Sequence, residues 1–248
     1  MQKRLLVIVT NAKVLHLTDG TEHPSGYWAE EFAVPYSAFR KAGYECDIAT
    51  IDGITPTVDA SSLNPDAIKW VVPQGVTVDV HAEAKRYSEI IEGASGLARP
   101  RDLNGIDRAA LDTYKGVYIA GGHGCMTDMP SSYQMARLLL RALDARKPIA
   151  SVCHGPTAFL APRDADGHNP FSGYHFTCFS QMEETITPIW KRLPMVLQYE
   201  LEAQGLLYSR AEQVWGSHVV HDRNLITGQN PYSSKALADQ FLRVLQES

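Results

Sequence analysis

The sequence predicts an α/β domain built on a mostly parallel sheet, and three observations lead there. Strand-like and helix-like patterns alternate along much of the chain. The opening run, Lys3 to Thr10, is continuously apolar, as in a strand covered on both faces. Two further apolar runs end abruptly, one in the glycines at Gly121 and the other at Cys153, and in such sheets ligands gather beyond the strands' carboxyl ends.

Taken in order, Lys3 to Thr10 is the first strand and Asn11 to Gly26 a polar loop. Trp28 to Ala42 carries Trp28, Phe32, Tyr36 and Phe39 at helical spacing and stops at Gly43, a good helix terminator. Pro35 inside that helix is expected to kink or loosen it. Glu45 to Thr50 is the next strand. From Asp52 to Asn104 the composition changes to Pro, Gly, Asp and Ser, with one helical stretch near His81 to Gly93 and no clean strand. This segment reads as a cap over the sheet edge, so the expectation is one domain over 1–248 with an insertion at about 52–104. The regular pattern resumes with a strand at Tyr114 to Ala120, an amphipathic helix at Ser131 to Arg146 and a strand at Lys147 to Val152. A helix follows from Gly155, strands are expected at Tyr174 to Phe179, Ser217 to His221 and Asn224 to Thr227, and a helix at Ser233 to Gln246 closes the chain.

Composition excludes several function classes. The 248 residues are 44% hydrophobic and 21% charged, ordinary values for a globular chain with a sizeable core. A net charge of -5 argues against nucleic acid or an anionic membrane surface as partner. The apolar run Leu5 to Val9 is too short for a signal peptide, and no stretch is long enough to span a bilayer. Cys46, Cys125, Cys153 and Cys178 form no metal-like spacing, so free thiols and a cytoplasmic location are expected.

Four segments carry chemistry. In Ser151-Val-Cys153-His154-Gly155 a buried strand runs straight into a cysteine, and a helix starts two residues later. That pattern resembles a nucleophile elbow, with Gly155 permitting the turn and the helix's positive end favouring thiolate. In Tyr118-Ile-Ala-Gly121-Gly122-His123-Gly124 a strand ends in glycines whose N–H groups, with that of His154, can form an oxyanion hole. Asp128 reads as a cap for the helix after it. Glu30 and Glu31 open the first helix a quarter turn apart, so at most one faces a site. Glu183 and Glu184 follow a strand, and one of them can orient His154 as the third member of a triad.

In order and spacing these segments resemble the ThiJ/PfpI superfamily, whose fold is similar to the class I glutamine amidotransferase domain. The resemblance includes Glu31 four residues before Pro35, Gly43-Tyr-Glu-Cys-Asp-Ile, Gly121-Gly-His-Gly with Asp128-Met-Pro130, and Ser-Val-Cys153-His-Gly. It extends through Thr177 to Thr185 and Asp222 to Ser234. It implies a flavodoxin-like three-layer sandwich, helices on both faces, with a nucleophile elbow and a small cap. Length, the insertion after Asp52 and Thr227-Gly-Gln-Asn-Pro231 are closest to the glutathione-independent glyoxalase III group, also described as holding chaperones and protein deglycases.

The resemblance implies a catalytic set of Cys153 as nucleophile, His154 beside it, Glu184 as orienting acid and Glu31 against the thiol. Gly121, Gly122 and His123 would bind the substrate or its oxyanion. Glu30 is the alternative to Glu31, and Glu183 to Glu184. No metal and no cofactor is expected; the partners are a small 2-oxoaldehyde and a second copy of the chain in a homodimer. Glutamine amidotransferase chemistry needs a later His-x-Glu, which His168, His175, His218 and His221 do not supply. A chaperone surface, a cysteine redox sensor and a peptidase are the rival functions.

Overall fold

A computed structural model describes residues 3–247; residues 1, 2 and 248 of the expected domain lie outside the described set. The chain opens with β1 (Arg4–Ile8), a hairpin of β2 (Val14–His16) and β3 (Glu22–Pro24), then α1 (Ala29–Lys41) and β4 (Glu45–Thr50). The region expected to be a cap holds α2 (Pro65–Trp70) and α3 (Val80–Gly93), and ends in β5 (Arg101–Asp102). Next come α4 (Arg108–Asp112), β6 (Gly116–Ile119), α5 (Cys125–Asp128), α6 (Tyr133–Asp144) and β7 (Ile149–Val152). The remainder is β8 (His175–Phe176), α7 (Gln181–Glu184), α8 (Leu197–Ala203), β9 (Leu207–Tyr208), β10 (Val219–Asp222), β11 (Leu225–Gly228) and α9 (Ser234–Glu247).

Seven strands form the central sheet in the order β10-β11-β7-β6-β1-β4-β5, all parallel except β10. The α/β fold with helices on both faces is therefore the observed one. Alternation along β1 sends Leu6 and Ile8 into the core shared with Met135, Leu138 and Leu139 of α6. Leu5 and Val7 enter the opposite core, with Phe32 and Phe39 of α1 and Phe241 of α9.

Several expected elements differ. Between Asp52 and Asn104 lies a strand after all: β5, two residues long, pairs with β4 and extends the sheet edge. Two residues give no periodicity to detect. The loop from Asn11 to Gly26 contains the β2–β3 hairpin. Only His175 and Phe176 of the run to Phe179 are strand, because the chain then turns toward β7 and β11, with Thr177 N–H bonded to Thr227 Oγ1 and Phe179 N–H to Cys153 O, both at 2.9 Å. The segment after Cys153 is a 3-10 helix, Gly155–Leu160, not an α-helix.

Pro35 does not break α1, for a reason that also places a site residue. Proline has no N–H, so the carbonyl one turn earlier, that of Glu31, has no helical donor. The Tyr118 hydroxyl of β6 donates to that carbonyl. The Glu-to-Pro spacing of four thus pins the Glu31 backbone to the central sheet. No side chain of its own caps the start of α1; Ser62 Oγ, from the segment after β4, accepts from the Ala29 N–H at 2.9 Å.

Candidate active site

The β6–β7 register pairs Ile119 with Ser151, so Gly121 and Cys153, each two residues on, sit level at the carboxyl edge of the sheet. Cys153 itself adopts φ 58°, the left-handed region that a side-chain-bearing residue enters at a cost of about 1–3 kcal/mol. The neighbouring backbone holds it there. The Cys153 N–H donates to Gly228 O and its carbonyl accepts from Phe179 N–H, both at 2.9 Å. The cysteine, not Gly155, makes the turn. Gly155 is required for space, since a Cβ there would lie 2.5 Å from Ser151 Oγ and 2.8 Å from Ile119 O.

His154 is turned toward the thiol despite being its sequence neighbour. Its Nδ1 lies 3.2 Å from Cys153 Sγ, and its Nε2 hydrogen-bonds Glu184 Oε1. The structure thus brings Cys153, His154 and Glu184 into one chain of contacts. The other Glu184 oxygen lies 3.4 Å from His123 Nε2, and the two imidazole rings are 4.2 Å apart. Burial opposes charge on Glu184, but His154 and His123 outweigh it and hold the carboxylate at about 2. Burial and the neighbouring His123 push His154 down to about 4, so its ring is neutral at pH 7. His123 is likewise opposed by burial, yet the Glu184 charge raises it above the ordinary imidazole value. The assignment that satisfies both contacts is Nε2–H donating to Glu184 and a bare Nδ1 facing the thiol.

Glu31 is fully buried, and neither carboxyl oxygen completes a hydrogen bond among the described residues. The Cys153 thiol and the Gly121 N–H lie against the carboxyl, but burial and the nearby Glu30 charge dominate and raise it well above the carboxylate range. Burial therefore favours the protonated, neutral form of Glu31. Burial also raises the Cys153 thiol, and an ionised Glu31 would raise it further. The expected thiolate-favouring helix end is absent; a short 3-10 turn takes its place, and the resting cysteine is a thiol.

The glycines divide their work. Gly121 N–H faces Glu31, so it is not free for an oxyanion as expected. Gly122 and His154 line the cavity, and no hydrogen bond engages their N–H groups among the described residues. Asp128 does not cap the following helix; Ser132 does, accepting from Met135 N–H at 3.1 Å. Asp128 instead accepts from Thr10 Oγ1 at 2.7 Å and Asn11 N–H at 2.9 Å, tying down the end of β1. Glu30 points away from Cys153, into a second cavity with Glu83, Arg86 and Tyr87.

A family model described as ThiJ/PfpI family-like matches residues 23–209. The chain belongs to the ThiJ/PfpI family. The protein/nucleic acid deglycase HchA of Escherichia coli is 27% identical over 240 residues, covering 94% of this chain and 78% of the relative. The Rapid Encystment Protein 24 kDa of Francisella tularensis superposes with TM-score 0.80 at 25% identity, over 98% of this chain and 99% of its own. A glyoxalase III from Candida albicans shares the fold, with TM-score 0.73, 22% identity and coverage of 97% and 96%. Among the described residues, no helix is long and apolar enough to cross a membrane.

Sequence reasoning on this ThiJ/PfpI chain missed the cavity's walls. The space in front of Cys153 measures about 220 Å³, with Trp28, Trp70, Phe179 and Trp215 among its walls and Asp59 and His23 at its polar side. Trp70 and Asp59 come from the segment between Asp52 and Asn104, which thus forms a wall of the site. Four tryptophans in a chain of 248 were the available signal. Glu183 was also misjudged as a mere alternative to Glu184. It closes a capping box with Ser180 and accepts from Trp215 N–H, Gln229 Nε2 and Asn230 Nδ2 at 3.1, 2.9 and 2.7 Å. The Gly-Gln-Asn run before Pro231 therefore serves Glu183, and Glu183 serves the site's outer wall. The donor atoms of His123, His154 and Glu184 fall within 4.8 Å of one another, a spacing that two imidazoles and a carboxylate could offer a metal ion. An ion bound there would displace the proton that ties His154 to Glu184.

Proposed function

We propose that this protein is a cysteine-dependent, glutathione-independent glyoxalase that converts a 2-oxoaldehyde such as methylglyoxal to its hydroxy acid. The observation that carries the reading is a fully buried carboxyl, Glu31, set against the thiol in addition to the His154–Glu184 pair and pushed by burial toward its protonated form. A hydrolase triad needs no such second acid. An internal redox isomerisation does, because a proton must move between adjacent carbons. The HchA relative, an enzyme by its name, supports carbonyl chemistry at this site.

The steps balance with these groups alone. His154 Nδ1 takes the thiol proton as sulfur bonds to the aldehyde carbon, and Glu31 protonates the aldehyde oxygen to give a hemithioacetal. The Glu184 charge stabilises the imidazolium formed. Glu31, now a carboxylate, removes the hydrogen on that carbon, and His154 protonates the neighbouring oxygen to give an enediol. Glu31 delivers its proton to the second carbon and recovers one from the first hydroxyl, leaving a thioester with its 2-hydroxyl in place. Water, deprotonated by neutral His154, hydrolyses the thioester to hydroxy acid and free thiol. The first carbon is oxidised and the second reduced, so no external redox partner enters. The N–H groups of Gly122 and His154 hold the developing oxyanions.

The same groups could act on a hemithioacetal or aminocarbinol adduct, and the HchA relative's name makes deglycation the second reading. The test is methylglyoxal loss without glutathione, followed beside Cys153→Ala. Turnover to lactate that Cys153→Ala lacks supports the reading; a folded wild type without turnover, or an active Cys153→Ala variant, rejects it.

A further inference from the structure

The cavity is larger than a three-carbon substrate requires. Its 220 Å³ would hold about seven waters at liquid density, and methylglyoxal leaves much of that space empty. The reacting end is compact and polar, formed by Cys153, His154 and Gly122. What lies beyond it is a run of aromatic rings. His154 and Phe179 are 4.6 Å apart between centroids, Phe179 and Trp215 5.6 Å, and Trp215 and Trp70 5.9 Å.

Two features mark this wall as built for a ligand. Trp215 sits at φ 63°, a conformation that a bulky residue adopts only when its surroundings enforce it. The enforcement comes from Glu183, which accepts the Trp215 N–H at 3.1 Å while buried among four other donors. Trp70, from the other side of the mouth, remains 45% exposed although an apolar cavity opens beside it. An indole left exposed at a cavity mouth has apolar surface still to cover.

Resting on the glyoxalase reading, we infer that the preferred substrate is a 2-oxoaldehyde with a flat aryl substituent, an arylglyoxal, whose ring lies against the wall formed by Phe179, Trp215 and Trp70. The dicarbonyl end reaches Cys153 while the ring occupies the space that methylglyoxal leaves open. The Asp59 carboxylate on the cavity wall disfavours substituents carrying a carboxylate. Among the described lining residues there is no arginine, the side chain that phenylglyoxal itself modifies.

The experiment compares phenylglyoxal with methylglyoxal in the wild type, Trp70→Ala and Trp70→Phe, and titrates unreactive acetophenone into Cys153→Ser by calorimetry. The expected kcat/KM favours phenylglyoxal by about tenfold or more; Trp70→Ala cuts that ratio about tenfold, and Trp70→Phe keeps most of it. Acetophenone should bind Cys153→Ser and bind less well once Trp70→Ala is added. Equal or better use of methylglyoxal, or a ratio that Trp70→Ala leaves unmoved, overturns the inference while the glyoxalase reading stands. Acetophenone binding without turnover of either aldehyde supports the aryl subsite and rejects the glyoxalase chemistry instead.

Discussion

Two pairs of adjacent glutamates each send one carboxyl toward the Cys153 site, and those two carboxyls are pushed in opposite directions. At the start of α1, Glu31 turns toward the thiol and Glu30 toward a separate cavity. In α7, Glu184 turns toward His154 and Glu183 toward the Trp215 loop. Both inward-facing carboxyls are buried. Among the described residues Glu31 meets no cation and completes no hydrogen bond, so burial decides and favours the protonated form. Glu184 meets two imidazoles, and their attraction defeats burial and strips the proton at about 2. Burial alone does not set the charge of an acid; the partners available inside do. One pair thus supplies a proton donor and the other a fixed anion, a division of labour that acid–base chemistry on a single substrate requires.

The largest break in this comparison should come from Glu31→Gln, which preserves shape but removes the transferable proton. Methylglyoxal turnover is expected to fall by about 10²–10⁴-fold, within the range for a general acid–base group. The cysteine should remain reactive toward a small alkylating reagent. A loss of less than about tenfold would move the proton shuttle to His154. Glu184→Gln should cost less in kcat, about 10²-fold, because the residue positions and stabilises His154 without touching substrate. Its distinctive sign, read by NMR of the imidazole, is a further fall in His154 basicity, because the anion that favours the imidazolium is gone.

How much of this was legible beforehand differs between the two pairs. The α/β order and the elbow at Cys153 could be read because apolar runs and the strand–Cys–His–Gly junction are local patterns. Glu31 was separable from Glu30 through the family resemblance alone, by its spacing to Pro35, and the structure supplies the physical reason: Pro35 frees the carbonyl that Tyr118 claims. Glu183 and Glu184 carried no such marker, and their separate jobs depend on Trp215, Gln229 and Asn230, some thirty to fifty residues away. The aromatic wall was hidden for the same reason: Trp70 and Trp215 meet only after folding. The thiolate-favouring helix failed as an expectation because Pro156 and the close packing at Gly155 produce a 3-10 turn.

Glu183 sharpens the comparison from its structural side. Removing it with Glu183→Ala leaves the Trp215, Gln229 and Asn230 donors without their buried acceptor, at a cost of about 3 kcal/mol or more. For a chain of this size the melting temperature should drop by about 6–12 °C. Glu30→Gln, which strands no such network, should shift it far less. Similar melting temperatures for the two variants would contradict the scaffold role given to Glu183.

The smallest effect, and the one that addresses the charge states directly, is the pH dependence of stability. Glu31 has its carboxyl raised by folding, so its contribution is fully present below the ordinary value of 4.5 and is lost as pH rises through the folded value. Glu184 has its carboxyl lowered to about 2, so its contribution is present above 4.5 and is lost as pH falls toward 2. His154, lowered to about 4, adds to the acid-side loss between 6.5 and 4, because the unfolded imidazole takes up a proton that the folded one refuses. Melting curves from pH 2 to 8 should therefore show the wild type losing ground to Glu31→Gln as pH rises above 4.5. Against Glu184→Gln the wild type should lose ground as pH falls. Slopes of the same sign would mean that the two buried carboxyls share one charge state, and the division between acid and anion would not hold.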